Sequence, residues 1–164
     1  MFDSAGQINP LPPQMADVEP GSRHELLKEV FDFYHLAFKE TPDAREYLSS
    51  RGIVDVSMGS RYQVGWCRGT LKRSMPKADP RVKDFKSIGI LTPSGREFFS
   101  GCVVFPLLNT SGHVVNLYGR KISDGRVNHL YLPGPKVGIF NVQAIKSGLE
   151  KGFEDDVSQF VVPV

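Results

Sequence analysis

Eight Lys and Arg side chains fall within one short stretch: Arg61, Arg68, Lys72, Arg73, Lys77, Arg81, Lys83 and Lys86, against only Asp79 and Asp84. The 164-residue chain carries a formal net charge of +2, so this block is a local concentration and not a general basicity. Residues 1–60 run the other way, with ten Asp/Glu against five Lys/Arg. A basic run of this kind is either a solvated helix face or a surface that tracks phosphates, releasing condensed counterions as each phosphate is neutralised. Tyr62, Trp66 and Phe85 lie among the charges. Rings in such a place either pack into a core or stack on bases. Arg120 follows Gly119 near a strand end, where a guanidinium either pairs with a neighbour or grips a phosphate with two parallel N–H groups. His129 and Lys136 flank the turn sequence Tyr131-Leu-Pro-Gly-Pro135. Arg51 precedes Gly52 at a helix end, where a cation also suits the carbonyl-rich terminus. The candidate nucleic-acid or phosphate contacts are therefore Arg51, Trp66, Arg68, Lys72, Arg73, Lys77, Arg120, His129 and Lys136.

No stretch carries catalysis alone. A Gly-rich loop ending in Lys-Ser/Thr, a Gly-x-Ser-x-Gly elbow and a His-Glu-x-x-His pair are all missing from the sequence. Phosphoryl chemistry on two metals needs several converging carboxylates, and the strand-rich half offers little beyond Glu97 and Asp124. Cys67 and Cys102 form no Cys-x-x-Cys pair and the four His are scattered, so no zinc site is expected within this chain. Two lone cysteines fit a reducing cytoplasm. No apolar run approaches the roughly 20 residues of a membrane helix, and the N-terminus lacks the basic-then-apolar pattern of a secretory signal. A cytoplasmic protein without membrane contact is the expectation.

The elements that must position these groups are legible in outline. Residues 1–21, with Pro10, Pro12, Pro13 and Pro20 and no apolar period, read as a linker or tail. Ser22 and Glu25 have capping-box spacing, and Leu27, Val30, Phe31, Tyr34 and Phe38 recur at helical spacing to about Glu40. Thr41-Pro42-Asp43 starts a second helix, whose buried stripe is Ala44, Tyr47 and Leu48 and whose left-handed cap is Gly52. A helical turn is expected near residues 56–60 and a brief strand over 61–66. Pro76 and Pro80 allow the basic block two short helical pieces at most.

The chain is then organised around residues 101–132. Residues 102–108 form an apolar strand, Asn109-Thr-Ser-Gly112 turns it, residues 113–118 return, and residues 127–132 supply a third strand. If Leu108 faces His113, Val104, Pro106 and Leu108 share a face with Val115 and Leu117, while Val103, Phe105 and Leu107 lie beside Val114 and Tyr118. Both faces are apolar, so both should be covered. Pro106 has no N–H and belongs at an edge or a bulge. A short helix over 142–149 takes Asn141 as its N-cap. Residues 151–164 read as a linker and the start of a further domain. The fold class is α+β: N-terminal helices followed by a small, mainly antiparallel sheet built around the 101–132 hairpin, with residues 22–150 as one domain.

Read together, these segments resemble the N-terminal lobe of the catalytic core of bacterial DnaG-type primase. Tyr47-Leu-Ser-Ser-Arg51-Gly-Ile53 is similar to the family's Tyr-Leu-x-x-Arg-Gly-Ile/Leu element. Tyr62-Gln-Val-Gly65-Trp66 is similar to its Phe-x-Ile-Gly-Tyr/Phe strand. Val103-Val-Phe105-Pro106-Leu107, Ser111-Gly112-His-Val114-Val115 and Tyr118-Gly119-Arg120 resemble its Phe-Pro strand, turn and Gly-Gly-Arg strand. Tyr131-Leu132, Pro135 and Ile139-Phe140 resemble its Tyr-Leu-Asn-Ser-Pro run. The likeness covers roughly residues 25–145. It departs where the family has Phe-Arg-x-Arg, which is Phe99-Ser100-Gly101-Cys102 here, and where a nucleotide-contacting Lys precedes Tyr-Leu, which is His129-Leu130 here. Arg120 and Arg51 survive from the basic set. These departures are similar to a mobile-element or phage-like branch.

The resemblance implies a parent that is a DNA primase-like nucleotidyltransferase, with this lobe inactive alone. It implies a single-stranded DNA template as partner, and neighbouring Toprim and zinc-binding domains. Divalent metal (Mg or Mn) and zinc are expected only in those neighbours, with no cofactor in this chain. The rival expectation is a non-enzymatic nucleic-acid or protein interaction module.

Overall fold

A computed structural model describes residues 20–52, 63–122, 129–142, 145, 146 and 148. Residues 1–19 of the expected tail, the turn over 56–60, Arg61 and Tyr62, and the 151–164 segment lie outside the described residues, while Pro20 and Gly21, expected in the tail, are helical. Helix α1 spans Pro20–Glu40. It starts two residues before the expected Ser22 cap, because Pro at the first helical position has no N–H to leave unpaired and a dihedral already suited to the helix. Leu27, Val30, Phe31, Tyr34, Ala37 and Phe38 form its buried stripe.

Helix α2 follows over Pro42–Ser50. Thr41 is extended there, as a cap requires, but its hydroxyl caps no amide of α2. It donates instead to the Ala37 carbonyl of α1 at 2.7 Å, so the residue ties two helices together. Gly52 closes α2 as expected, with a φ of 84° and its N–H donating to the Ser49 carbonyl at 3.0 Å.

Strand β1 spans Gly65–Cys67. A short 3-10 turn over Leu71–Ser74 and helix α3 over Arg81–Ser87 are the two short pieces that the prolines permit. Phe85 of α3 is fully buried, so it belongs to the core. Strands β2 (Cys102–Leu108), β3 (Val114–Lys121) and β4 (His129–Tyr131) complete one sheet in the order β1-β2-β3-β4. All three pairings are antiparallel, so the α+β reading holds.

Helix α1 covers one face of this sheet. Leu27, Val30, Phe31 and Tyr34 pack with Cys67, Phe85, Phe99, Val104 and Leu117 in the main core. Gly65 permits the approach, since a Cβ there would stand 2.8 Å from that of Tyr34. The other face is covered in part. Phe38, Ala44 and Leu48 close over Val64 and Val103, with Tyr47, Trp66 and Phe105 at the margin. Beyond the reach of α2 that face meets solvent, and Tyr131 is 37% exposed.

The hairpin register differs from the expected one. Pro106 pairs with Leu117 and Val104 with Gly119, a shift of two residues that keeps the faces of β2. A bulge between Leu107 and Leu108 then sets Leu108 opposite Val114. An unpaired residue in a bulge reverses the inward and outward sense beyond it. Val114 therefore joins the α1 core, opposite to expectation, while Val115 comes beside Leu107 and Gly138. Pro106 behaves as its missing N–H demands. The β1 pairing ends at Val104, and the next partner on that side is Ile139 at Leu108, so Pro106 occupies the gap. Val142, Ile145, Lys146 and Gly148 are helical, but Asn141 has a φ of 55°, which is not the extended conformation of an N-cap.

Candidate nucleic-acid interface

The sheet register decides which side chains meet. Directly paired residues share a face. Trp66, Val103, Arg120 and His129 form one such row, and Phe105, Tyr118 and Tyr131 form the next. Both rows lie on the face that α2 covers only in part. There the Arg120 Nε–H donates to the Tyr47 hydroxyl at 2.9 Å, and an Nη1–H donates to His129 Nε2 at 3.1 Å.

A guanidinium cannot accept, so His129 Nε2 must be the bare nitrogen and the ring proton sits on Nδ1. The Nδ1–H then donates to the Tyr118 hydroxyl oxygen at 2.5 Å. That assignment leaves the Tyr118 O–H free to donate elsewhere; its oxygen also accepts from Arg120, so two of the five Arg120 N–H groups are left unused. Burial raises the Tyr118 phenol above its ordinary range, so it stays protonated. Hydrogen bonding, first to Tyr47, holds the Arg120 guanidinium above its ordinary value.

Two further cations close on the same cluster. The Arg51 guanidinium lies 5.4 Å from the centre of the Tyr47 ring, and Lys136 Nζ lies 5.1 Å from that of Tyr131. Both are cation–π distances. Tyr118 and Tyr131 are in ring contact at 5.0 Å. Asn116, buried inside β3, donates through Nδ2 to the Pro135 carbonyl at 3.2 Å and so fixes the turn that presents Lys136. Four residues from separate segments, Arg51, Arg120, His129 and Lys136, thus converge around three tyrosines. Trp66 is half-buried in the same row as Arg120.

The other candidates are placed elsewhere. Arg68 is spent on structure: its Nε and Nη2 groups donate to Thr41 Oγ1 at 2.9 and 2.7 Å, Nη2 also donates to the Ala37 carbonyl, and Nη1 donates to Glu40. Arg81, from the same block, is held by Asp79 and Glu29. Lys77 is exposed in the turn before α3. Lys72 and Arg73 line a cleft of about 650 Å³ together with Arg96 and Lys121. Lys121 neighbours Arg120 on β3, and successive strand residues point to opposite faces. The positive groups therefore form two surfaces back to back, and the candidates Lys72 and Arg73 do not share a face with Arg120.

Sequence reasoning missed the roles of Tyr47, Tyr118 and Tyr131, and it missed Arg96 and Lys121. The Tyr-x-Arg and His-x-Tyr spacings of Tyr118/Arg120 and His129/Tyr131 carried the signal, because two residues along a strand return to one face. Among the described residues no three His, Cys, Asp or Glu side chains come together as metal ligands, and no helix is long and apolar enough to cross a membrane.

The family described as the DNA primase catalytic core, N-terminal domain, matches residues 32–150. A DNA primase of Buchnera aphidicola is 30% identical over 125 residues, covering 71% of this chain and 21% of the relative. One of Staphylococcus epidermidis is 28% identical over 139 residues, covering 78% and 22%. This chain thus spans about a fifth of the length of these curated relatives. The RNA polymerase domain of Mycobacterium tuberculosis primase DnaG shares the fold with a TM-score of 0.66 at 16% identity, over 81% of this chain and 48% of that one. A DnaG primase catalytic domain bound to ssDNA does so with a TM-score of 0.57 at 22% identity, over 70% and 39%. With the match running through most of its length, this chain belongs to the family of DNA primase catalytic core N-terminal domains.

Proposed function

We propose that this domain holds a single-stranded DNA template, or the phosphates of an incoming nucleotide, beside a metal site carried by a neighbouring Toprim domain. The observation that carries the reading is the convergence of Arg51, Arg120, His129 and Lys136 around Tyr47, Tyr118 and Tyr131. Free guanidinium N–H groups suit phosphate oxygens, and the rings beside them suit stacked bases. The ssDNA bound to a DnaG catalytic domain of the same fold supports that choice of partner. The chain alone is expected to be inactive, since phosphoryl transfer rests on metals and positioning. Its neighbours would supply Mg or Mn, and zinc.

Binding of an oligothymidylate by the chain at increasing salt tests this. The expected result is measurable affinity that falls as salt rises, with a slope of about 0.7 per phosphate contact on a log–log plot. Absent affinity, or affinity indifferent to salt, overturns it.

A second reading, a non-enzymatic interaction module of a divergent mobile-element or phage-like branch, has one observation in its favour. Cys102 stands where the resemblance puts an arginine, and it is fully buried, with its thiol pushed up to about 11 by burial. Primer synthesis by this domain joined to its natural C-terminal neighbour separates the two readings.

A further inference from the structure

His129 is the side chain of the Arg120 surface that can change its charge near neutral pH, as imidazoles do. It is exposed on β4 and pairs directly with Arg120 across the ladder. Its Nε2 accepts from the Arg120 Nη1–H at 3.1 Å, and its Nδ1–H donates to the Tyr118 hydroxyl oxygen at 2.5 Å. Both ring nitrogens are therefore in use in the neutral form. The titratable and charged groups that face it, among the described residues, are cations and phenols. Arg120 and Tyr118 come from β3, the Tyr118 ring at 5.9 Å. Tyr47 of α2 holds Arg120 from the other side, with Arg51 over its ring. Tyr131 of β4 touches the Tyr118 ring, and Lys136 lies over Tyr131. Among the described residues the ion pairs are made by Lys28, Arg68 and Arg81, so none brings a carboxylate to this cluster.

A proton added at Nε2 would set two donors face to face, since a guanidinium cannot accept. It would break the bond to Arg120 and add a positive charge beside Arg51, Arg120 and Lys136. A bound phosphate reverses that balance. One of its oxygens can accept from the released Arg120 N–H and another from the new Nε2–H, so the anion supplies the acceptor that the cluster lacks. Anion and proton then favour each other's binding, because coupling between two ligands is reciprocal.

We propose that His129 takes up one proton as this surface takes its anion, so that affinity for a single-stranded DNA rises as pH falls through the neutral range. The proposal rests on the reading of the Arg120 surface as a DNA contact and adds to it a pH dependence carried by one residue. The complex holds a proton that the free chain lacks, so the gain is present at low pH and is lost as pH rises.

The test titrates an oligothymidylate, whose bases and phosphodiesters do not themselves titrate near neutrality, into the chain at fixed salt between about pH 8 and pH 5. The expected gain across that range is about tenfold or more, the equivalent of one hydrogen bond between charged groups. It should not exceed about tenfold per pH unit, the limit for a single proton. Calorimetry in two buffers of different ionisation enthalpy reads the proton uptake directly. His129→Gln keeps an oxygen for Arg120 but cannot gain a proton, so it should abolish the pH dependence and the uptake whatever its affinity. His113→Gln, at an exposed imidazole beside the 109–112 turn, should keep both. Thermal melting checks that each variant folds. Should His129→Gln unfold, the ring resonances of His129 in the unaltered chain must move to their protonated position when the oligothymidylate is added at constant pH. Affinity indifferent to pH, binding without proton uptake, or a pH dependence that survives in His129→Gln overturns the proposal and leaves the DNA contact standing. Absence of binding at every pH overturns both, so the two failures are told apart.

Discussion

Replacing Arg120 probes the proposed interface at its centre. Three of its N–H groups are committed, to Tyr47 at 2.9 Å, to His129 at 3.1 Å and to the Tyr118 hydroxyl, and two are left for a ligand. A hydrogen bond to a charged group contributes about 1.5–3 kcal/mol, so Arg120→Ala should weaken oligothymidylate binding roughly 10- to 100-fold. The slope of log affinity against log salt should also fall by about 0.7, the value for one single-strand phosphate contact. Arg120→Lys separates charge from geometry. It keeps a point charge and hence the slope, but loses the planar fork, so its affinity should fall between those of wild type and Arg120→Ala. Fluorescence anisotropy of a labelled oligothymidylate at a series of salt concentrations reads both quantities. The truncation deprives the half-buried Tyr47 of its donor, so thermal melting must accompany the binding curves. A folded Arg120→Ala chain with unchanged affinity and unchanged slope would refute the reasoning.

Three further outcomes follow from the same structure. Arg68→Ala should cost about 1 kcal/mol in urea unfolding, since its guanidinium ties Thr41, Ala37 and Glu40 together, and should leave the salt slope of DNA binding unchanged. Glu97→Ala strands the Tyr34 hydroxyl, the Cys67 thiol and the Leu71 N–H; a loss of about 3 kcal/mol or more is expected in the same measurement, with Glu97→Gln recovering part of it. Burial, foremost, raises the Tyr34 phenol and the Cys67 and Cys102 thiols above their ordinary ranges, Cys102 to about 11. The folded state then holds these protons more tightly than the unfolded one, so their contribution is whole at neutral pH and is lost as pH rises above the ordinary thiol range of about 9. Melting temperature should fall progressively from there towards pH 11, and a flat profile over that range contradicts the assignment.

Local chemistry made much of the fold legible. Thr41-Pro42 and Gly52 mark the ends of α2 because the helix terminus needs those backbone properties wherever it sits. Pro106 pointed to an edge or a bulge because it has no N–H, and it sits past the end of the β1 pairing and next to the bulge at Leu107/Leu108. The hairpin register was not legible. Two strands that are apolar on both faces give no energetic reason to prefer one register, and no residue of the sequence marks the bulge at Leu107/Leu108. The same limit applied to the site. Arg120 and His129 stood out by type, but whether Arg68 grips a ligand or a helix end depends on the distant Thr41 and Glu40. Arg96 and Lys121 were overlooked because neither lies in the basic block; β3 and the turn over 92–96 bring them to it.

The most direct test maps the contact itself. Amide chemical shifts of the isotope-labelled chain are followed while an oligothymidylate is added at low salt. The account predicts that the largest perturbations fall at Tyr47, Arg51, Tyr118 to Lys121, His129 to Tyr131 and Lys136, and that they reverse as salt is raised. Perturbations confined to the far side of α1, or none at saturating oligonucleotide, would contradict it.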